Sequence, residues 1–400
     1  MTSVAEAEAL IAKHIPDRPV ENVAIDDAVD LILAEAIQAE RDQPPFDRVT
    51  MDGIAVASQA WTAGRRSFAI AGVQAAGVSA LKCPDSNACI RVMTGAVRPE
   101  GVDAVIPVER IKIDGETAIV DDEAVVEPGR FIHSQGSDRK SGETVLEAGV
   151  RIGPAEIAVL ASAGRAQVAT AAPARIAVVS TGDELVSVDS TEIAPYQIRS
   201  SNDLAVAASL RRSHLANCSR TTLPDDPKQI LAAVSRLHEE NDILILSGGV
   251  SMGDFDFVPA VLKQLNAKVV FHRIEQKPGK PMWFGMSGEG KPIFALPGNP
   301  VSTLLCMTRY VVPALRVALG LKPAAVERAR LSKAVSGPKH LTYFVPILLD
   351  WTDDGIELAE PRPTNTSGDF SSLAATDGFL ELQSGLGVHQ AGSIGRVFRW

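Results

Sequence analysis

Apolar and polar positions change their spacing several times along this chain, and each change marks a region. Helical spacing of Val4, Leu10 and Ile11, then of Ala28, Leu31, Ile32 and Ile37, predicts helices over residues 3–14 and 26–38. Asp26 and Asp27 stand where the second would be capped, and Gln43-Pro-Pro-Phe-Asp47 ends that texture. From 44 to 139, short β-like runs alternate with turns, at 53–56, 67–71, 88–93, 104–107, 111–113 and 117–120. Asp114-Gly115 predicts a hairpin between the last two. Helical spacing returns at 154–163, with Pro154 in the first turn.

Short apolar runs of the kind buried on both faces then alternate with helical patterns. Strands are predicted at 175–180, 243–246, 268–274 and 293–296, and helices at 201–211, 227–238 and 255–265, with Asp226 and Asp254 as caps. Asn299 and Pro300 open a further helix. Residues 323–400 are strand-like again, at 343–349, 356–358, 379–382 and 393–398. The expected fold class is multidomain α/β. A doubly wound parallel-sheet domain spans 174–322, with a small β module at 44–139 and a second small β-rich domain at 323–400. A helical linking domain comprises 1–43 with 140–173.

Composition narrows the function. With 400 residues and 46 % hydrophobic positions the chain can bury several cores, and with 5 % aromatics they are mostly aliphatic. A net charge of −10 argues against general nucleic-acid binding, which needs a basic surface. Cys83, Cys89, Cys218 and Cys306 form no C-x-x-C pair, so free thiols in a reducing cytoplasm are expected. Residues 1–14 lack the basic-then-apolar pattern of a signal peptide. The apolar stretch 301–319 is interrupted by Arg309, Pro313 and Arg316, which predicts a buried helix and no membrane span.

The candidate chemistry lies in loops that follow strands. Asp242-Ile-Leu-Ile-Leu-Ser-Gly-Gly-Val-Ser-Met-Gly-Asp-Phe-Asp256 reads as strand, glycine loop and helix start. That arrangement lets backbone N–H groups approach an anion, and its two aspartates suit a hard cation beside a phosphate. It is neither a P-loop nor a dinucleotide fingerprint, since both spacings fail. Thr181-Gly-Asp-Glu184, Lys277-Pro-Gly-Lys280 and Pro297-Gly-Asn-Pro300 follow other strands. Each alone could be a plain turn or cap. In a parallel sheet all four share the carboxyl edge, where such folds bind ligands.

These motifs together resemble the molybdopterin molybdenumtransferase family, the MoeA family, which includes the gephyrin E domain. The likeness rests on Thr181-Gly-Asp-Glu-Leu185, Ser247-Gly-Gly-Val-Ser251 with Gly253-Asp-x-Asp256, Lys277-Pro-Gly-Lys-Pro281 and Leu296-Pro-Gly-Asn-Pro-Val-Ser302. Pro44-Pro-Phe-Asp-Arg48 with Met51-Asp-Gly-Ile-Ala-Val56, and Arg91-Val-Met-Thr-Gly-Ala96 with Pro99-Glu-Gly-Val-Asp-Ala-Val-Ile-Pro107, extend it over nearly the whole chain. The resemblance implies a MogA-like α/β domain. It also implies an enzyme that inserts molybdate into adenylated molybdopterin at the dithiolene and releases AMP with magnesium.

By that resemblance the candidate catalytic residues are Asp52, Thr94, Asp138, Glu184, Asp225, Asp256, Lys277 and Lys280. The candidate substrate-binding residues are Ser180, Thr181, Gly182, Asp183, Ser247, Gly248, Gly249, Ser251, Arg273, Pro297, Gly298, Asn299, Pro300, Ser302 and Ser371. Glu184, Asp254 and Asp256 are the implied magnesium ligands. A homodimer is implied, with Asp52, Thr94 and Asp138 of one subunit completing the site of the other, and a molybdopterin adenylyltransferase is a further possible partner. Two departures stand out. His133-Ser-Gln-Gly-Ser-Asp138 replaces a basic run, and Gly337-Pro-Lys-His-Leu-Thr-Tyr-Phe344 replaces a Gly-Arg pattern. A non-catalytic pterin-nucleotide-binding scaffold and a pterin adenylyltransferase are the competing functions. Tungstate is an alternative oxyanion.

Overall fold

The computed structural model describes residues 1–249, 258–323 and 325–400. The chain separates into two units. One comprises Met1–Glu35, Ala148–Gly153 and Gln167–Trp400, the other Ala36–Glu147 and Pro154–Ala166.

The smaller unit is built on a six-stranded sheet in the order Ala104–Pro107, Gly53–Val56, Ala88–Val92, Ser67–Gln74, Thr117–Val120, Ile111–Asp114. All neighbours are antiparallel except Ser67–Gln74 and Ala88–Val92. Side-chain alternation sends Ile54, Val56, Phe68 and Ile106 into one core and Ala55, Ile90, Val92 and Val105 into another. Gly53–Val56 is thus buried along its whole length.

In the larger unit a six-stranded sheet runs Ala216–Leu223, Ala174–Thr181, Ile243–Ser247, Pro292–Leu296, Trp283–Met286, Lys268–His272. The first four are parallel, and Trp283–Met286 is antiparallel to both its neighbours. Ile176, Val178, Ile245 and Phe294 pack on one face with Val206, Leu210 and Leu305. Ala177, Val179, Leu244 and Leu246 pack on the other with Ile230, Val234 and Leu237. Two helical layers therefore cover the sheet, as the uninterrupted apolar runs require. Helix Pro227–Glu240 is capped by Asp226, whose side chain accepts from the N–H groups of Lys228 and Gln229.

The segment 300–318 runs Pro300–Cys306, a π-turn at Met307–Val311, then Val312–Ala318. It is long and apolar enough to cross a membrane, yet 72 % of that window is buried inside the protein. Residues 328–399 form a barrel. Thr342–Trp351, Glu357–Pro361, Arg328–Leu331, Ile394–Arg399 and Gly378–Leu382 pair in turn, and the last pairs back with the first. Gln276–Lys277 adds a short parallel strand against Thr342 and Tyr343.

The helix predicted over 26–38 is absent. Ile25–Asp27 is a single 3₁₀ turn, and Ile32–Leu33 and Ile37–Gln38 are strands. Asp30 adopts a left-handed conformation (φ 67°) that breaks a helix. Leu33 and Ile32 pair with Thr170 and Ala171, and Ile37 with Leu146, so sheet pairing overrides the local spacing. The expected helical linking region is accordingly mixed. It holds helices Val4–His14 and Pro154–Ser162, but also the three-stranded sheet Val20–Ala24, Gln167–Ala171, Ile32–Leu33.

Asp242 clamps the entry of the two central strands. Its carboxylate accepts from Arg18 at 2.8 Å and from the Arg175 backbone N–H at 2.8 Å. Burial alone would raise its pKa. Hydrogen bonds from Arg175 and the charges of Arg18 and Arg175 outweigh it and hold the carboxyl below the usual aspartate range. A depressed folded-state pKa gives stability that is present above the ordinary value, about 3.9, and lost as pH falls through the folded one. Asp242→Asn is expected to destabilise the protein by about 2 kcal/mol at neutral pH. It should also flatten the acid limb of the stability curve below about pH 4. Urea melts at several pH values check both, and parallel curves for the two proteins would exclude this clamp.

Candidate functional site

Three neighbouring strands deliver their loops to one edge. Ser180 lies opposite Ser247 on adjacent strands, and Ser247 lies opposite Leu296 on the next. Beyond that rung a cavity of about 650 Å³ opens. Of the candidate residues, Ser180, Thr181, Gly182, Glu184, Asp225, Ser247, Gly248, Gly249, Pro297, Gly298, Asn299 and Pro300 line it. The predicted convergence of the post-strand loops is therefore realised for three of the four.

Local chemistry explains the loop shapes. Gly248 has φ +98°, and a Cβ there would lie 2.9 Å from the Thr181 carbonyl oxygen, so the loop accepts only glycine comfortably. The Glu184 carboxylate folds over Gly182, where a Cβ would meet it. Asp183 points elsewhere: its Oδ1 accepts the Asp225 N–H at 3.0 Å and fixes the adjoining turn. Asn299 occupies the helix cap position but makes no side-chain cap bond. Thr303 Oγ1 holds the turn instead, donating to the Pro297 carbonyl at 2.5 Å.

A second cavity, about 430 Å³, shares Pro281, Pro297 and Asn299 with the first. Lys277, Lys280 and Ser302 line it, together with Leu341, Tyr343, Thr366 and Ser367. Among its described lining residues, Lys277 and Lys280 are the charged ones, which marks it for an anion. Arg273 and Ser371 line neither cavity. Arg273 is exposed at a left-handed position (φ 69°), and Ser371 Oγ donates to Asp369 Oδ1 at 3.1 Å. Ser251, Asp254 and Asp256 lie outside the described residues.

Sequence reasoning missed one wall. Arg199, Ser200, Ser201 and Asn202 also line the first cavity. Asn202 Nδ2 donates to Ser247 Oγ at 3.1 Å and to the Gly298 carbonyl at 2.7 Å, tying two of the loops together. Its Oδ1 and the Ser180 hydroxyl are buried without a partner, so each can serve a bound ligand. Arg199 donates instead to the carbonyls of Ser187, Val188 and Ser190, tying it to the segment that follows the short parallel strand Leu185–Val186. A cluster of small polar residues opening the helix Asn202–Ser213 was the available signal.

In the smaller unit, Thr94 donates its backbone N–H (2.6 Å) and its hydroxyl (2.8 Å) to Asp52 Oδ1. Those bonds hold the Asp52 carboxyl below the usual range. Arg48 can only donate, so its 3.3 Å contact makes His133 Nδ1 the acceptor. Nε2–H then donates to Asp138 Oδ1 at 2.9 Å. His133 thereby bridges Arg48 and Asp138.

Among the described residues, no group of three or more His, Cys, Asp or Glu is close enough to hold a metal. The four cysteines are free, and burial pushes the Cys89 thiol up to about 12.

Residues 2–164 match the MoeA N-terminal region (domain I and II), 177–317 a probable molybdopterin binding domain, and 328–394 the MoeA C-terminal region (domain IV). The molybdopterin molybdenumtransferase of Synechocystis sp. is 37 % identical over 401 residues, covering 100 % of both chains. That of Bacillus subtilis is 31 % identical, covering 94 % of this chain and 89 % of its own. The solved molybdopterin biosynthesis MoeA protein of Pyrococcus horikosii is 28 % identical with a TM-score of 0.84, over 100 % of this chain and 99 % of that one. This chain belongs to the molybdopterin molybdenumtransferase (MoeA) family.

Proposed function

We propose that this chain is a molybdenumtransferase of molybdenum cofactor biosynthesis. It takes adenylated molybdopterin and molybdate, places the metal at the pterin dithiolene and releases AMP. The observation that carries this is the cavity at the carboxyl edge of the sheet. Ser247–Gly249, Pro297–Asn299, Glu184 and Asp225 line one space, with two lysines on the adjoining cavity. In the reaction a water oxygen bonds to phosphorus as the phosphoanhydride between pterin phosphate and AMP breaks, so AMP leaves and the pterin keeps its phosphate. The dithiolene sulfurs belong to the substrate, so the buried protein thiols have no part in the chemistry.

The backbone cradle binds and orients the phosphates without adding negative charge. Lys277 and Lys280 hold the oxyanion or terminal phosphate as point charges. Asn202 Oδ1 and the Ser180 hydroxyl orient the nucleotide or pterin through polar contacts. Oxygen donors of the Glu184 and Asp225 kind suit a hard cation that keeps part of its shell for phosphate. Glu184, with Asp254 and Asp256, would hold magnesium, which when bound offsets charge growing on the phosphate. The protein works as a cytoplasmic homodimer, the residues Asp52, Thr94 and Asp138 completing the partner's site as the family pattern implies.

The test is AMP release from adenylated molybdopterin with magnesium, with and without molybdate. Molybdate-dependent release is expected, falling at least about 100-fold in Asp256→Ala. Tight binding without release in the wild type would overturn the enzyme and leave a pterin-nucleotide scaffold. Release driven equally by tungstate would widen the oxyanion range. ATP consumption would indicate an adenylyltransferase.

A further inference from the structure

The loop that carries Lys277 and Lys280 is built around one buried amide. Gln276 is fully buried. Its Oε1 accepts a hydrogen bond from the Tyr310 hydroxyl. Its Nε2 faces Cys306 Sγ at 3.8 Å. Gly279 closes the loop over this amide, so tightly that a Cβ there would lie 2.7 Å from Gln276 Nε2 and 3.0 Å from Cys306 Sγ. The main chain is fixed too, since Gln276 and Lys277 pair with Thr342 and Tyr343 of the barrel. Both lysines project from this short turn onto the wall of the second cavity.

Tyr310 is placed by an unusual piece of helix. It lies in the π-turn Met307–Val311, a geometry that inserts one residue into the helical repeat and re-aims the side chains around it. Arg309 of the same turn is buried, donates to Glu8 at 2.7 Å and lies over the Phe398 ring. Tyr310 is only 2 % exposed, and burial pushes its phenol well above the ordinary value, so its hydroxyl keeps its proton and donates. A donor on Oε1 leaves Gln276 one amide orientation, with Nε2 toward Cys306 and Gly279.

We propose that Tyr310 is a positioning residue for anion binding: through Gln276 it sets where Lys277 and Lys280 stand on the cavity wall. This rests on the reading that the lysines hold the oxyanion or phosphate of the substrate. Removing the hydroxyl strands Gln276 Oε1 in a buried site without a donor, and the amide and the loop over it must resettle. The tyrosine itself lines neither cavity.

The experiment compares wild type, Tyr310→Phe, Lys277→Ala and the double variant in the AMP-release assay, together with Tm for each. Phenylalanine keeps the ring, so the protein folds. Tyr310→Phe is expected to raise KM for adenylated molybdopterin about tenfold with kcat changed less than about twofold. In the Lys277→Ala background the same substitution should raise KM by clearly less than in the wild type, because only Lys280 is left to displace, while its effect on Tm is the same in both backgrounds. An equal KM effect in the two backgrounds, or a lowered Tm with KM unchanged, overturns the proposal and makes Tyr310 a packing residue. If Lys277→Ala alone leaves KM unchanged, the lysine reading itself fails and takes this proposal with it.

Discussion

Replacing Asp52 by alanine is expected to remove molybdate-dependent AMP release, lowering kcat by about 10²–10⁴-fold, while the protein stays folded. Asp52 and Thr94 are both exposed, and no core residue depends on them. Their two hydrogen bonds share Asp52 Oδ1, and they keep the carboxyl ionised across the working pH range. Such an arrangement is set before any ligand arrives, which suits a group that orients a substrate or accepts a proton. Thr94→Ser keeps both donors and should retain most activity, whereas Thr94→Val loses one. Circular dichroism and Tm establish folding, and an Asp52→Ala protein with near-normal kcat would exclude the role. Mixing also tests the proposed homodimer, in which the two residues would share a site across subunits. Asp52→Ala and Glu184→Ala, each inactive, should regain about a quarter of wild-type activity when their subunits reassort, because half of the dimers then hold one intact site. No regain would place both residues within one subunit's site.

The neighbouring glycine is the second position of large effect, on stability. A methyl group at Gly53 would overlap the Ile106 carbonyl oxygen, a backbone atom in a paired strand. Gly53 also pairs with Val92 on its other side, so the strand cannot shift away without opening a second ladder. Gly53→Ala is therefore expected to destabilise the smaller unit by about 4 kcal/mol. For a unit of this size that lowers Tm by well over about 10 °C. Limited proteolysis should cut within residues 36–147 first. A variant melting with the wild type would show that the strands can separate freely at this point. Asp52 and Gly53 thus divide one motif between an exposed, hydrogen-bonded carboxylate and close backbone approach.

The α/β sheet was legible because its strands are apolar on both faces, and the two helical layers that cover them follow from that alone. The β module was legible from its turns, as the Ile111–Asp114 and Thr117–Val120 hairpin illustrates. Residues 26–38 misled because Leu31, Ile32 and Ile37 fit a helix as well as two short strands, and only the distant partners Thr170, Ala171 and Leu146 decide. The antiparallel Trp283–Met286 strand and the closure of the barrel are long-range pairings of the same kind. The cavity loops were legible as glycine-rich motifs at strand ends. Asn202 was not, because its contribution is to bridge Ser247 and Gly298, which lie 45 and 96 residues further along. Neither was Gln276, an ordinary residue until Tyr310 is placed over it.

The helix Val4–His14 has a consequence for how the chain is made. Val4, Ala7 and Ile11 belong to a core that also contains Phe294, Tyr310, Phe344 and Phe379, and Thr2 forms an isolated bridge with Ile274. That helix therefore shares its core with residues translated some 270 to 380 positions later. The strands of 53–120 pair within their own neighbourhood and can settle meanwhile. At about 5–20 residues per second, the helix waits tens of seconds for that part of its core. A nascent chain stalled before residue 274 would lack this part of the core, so docking of the helix belongs to the last steps of folding rather than the first.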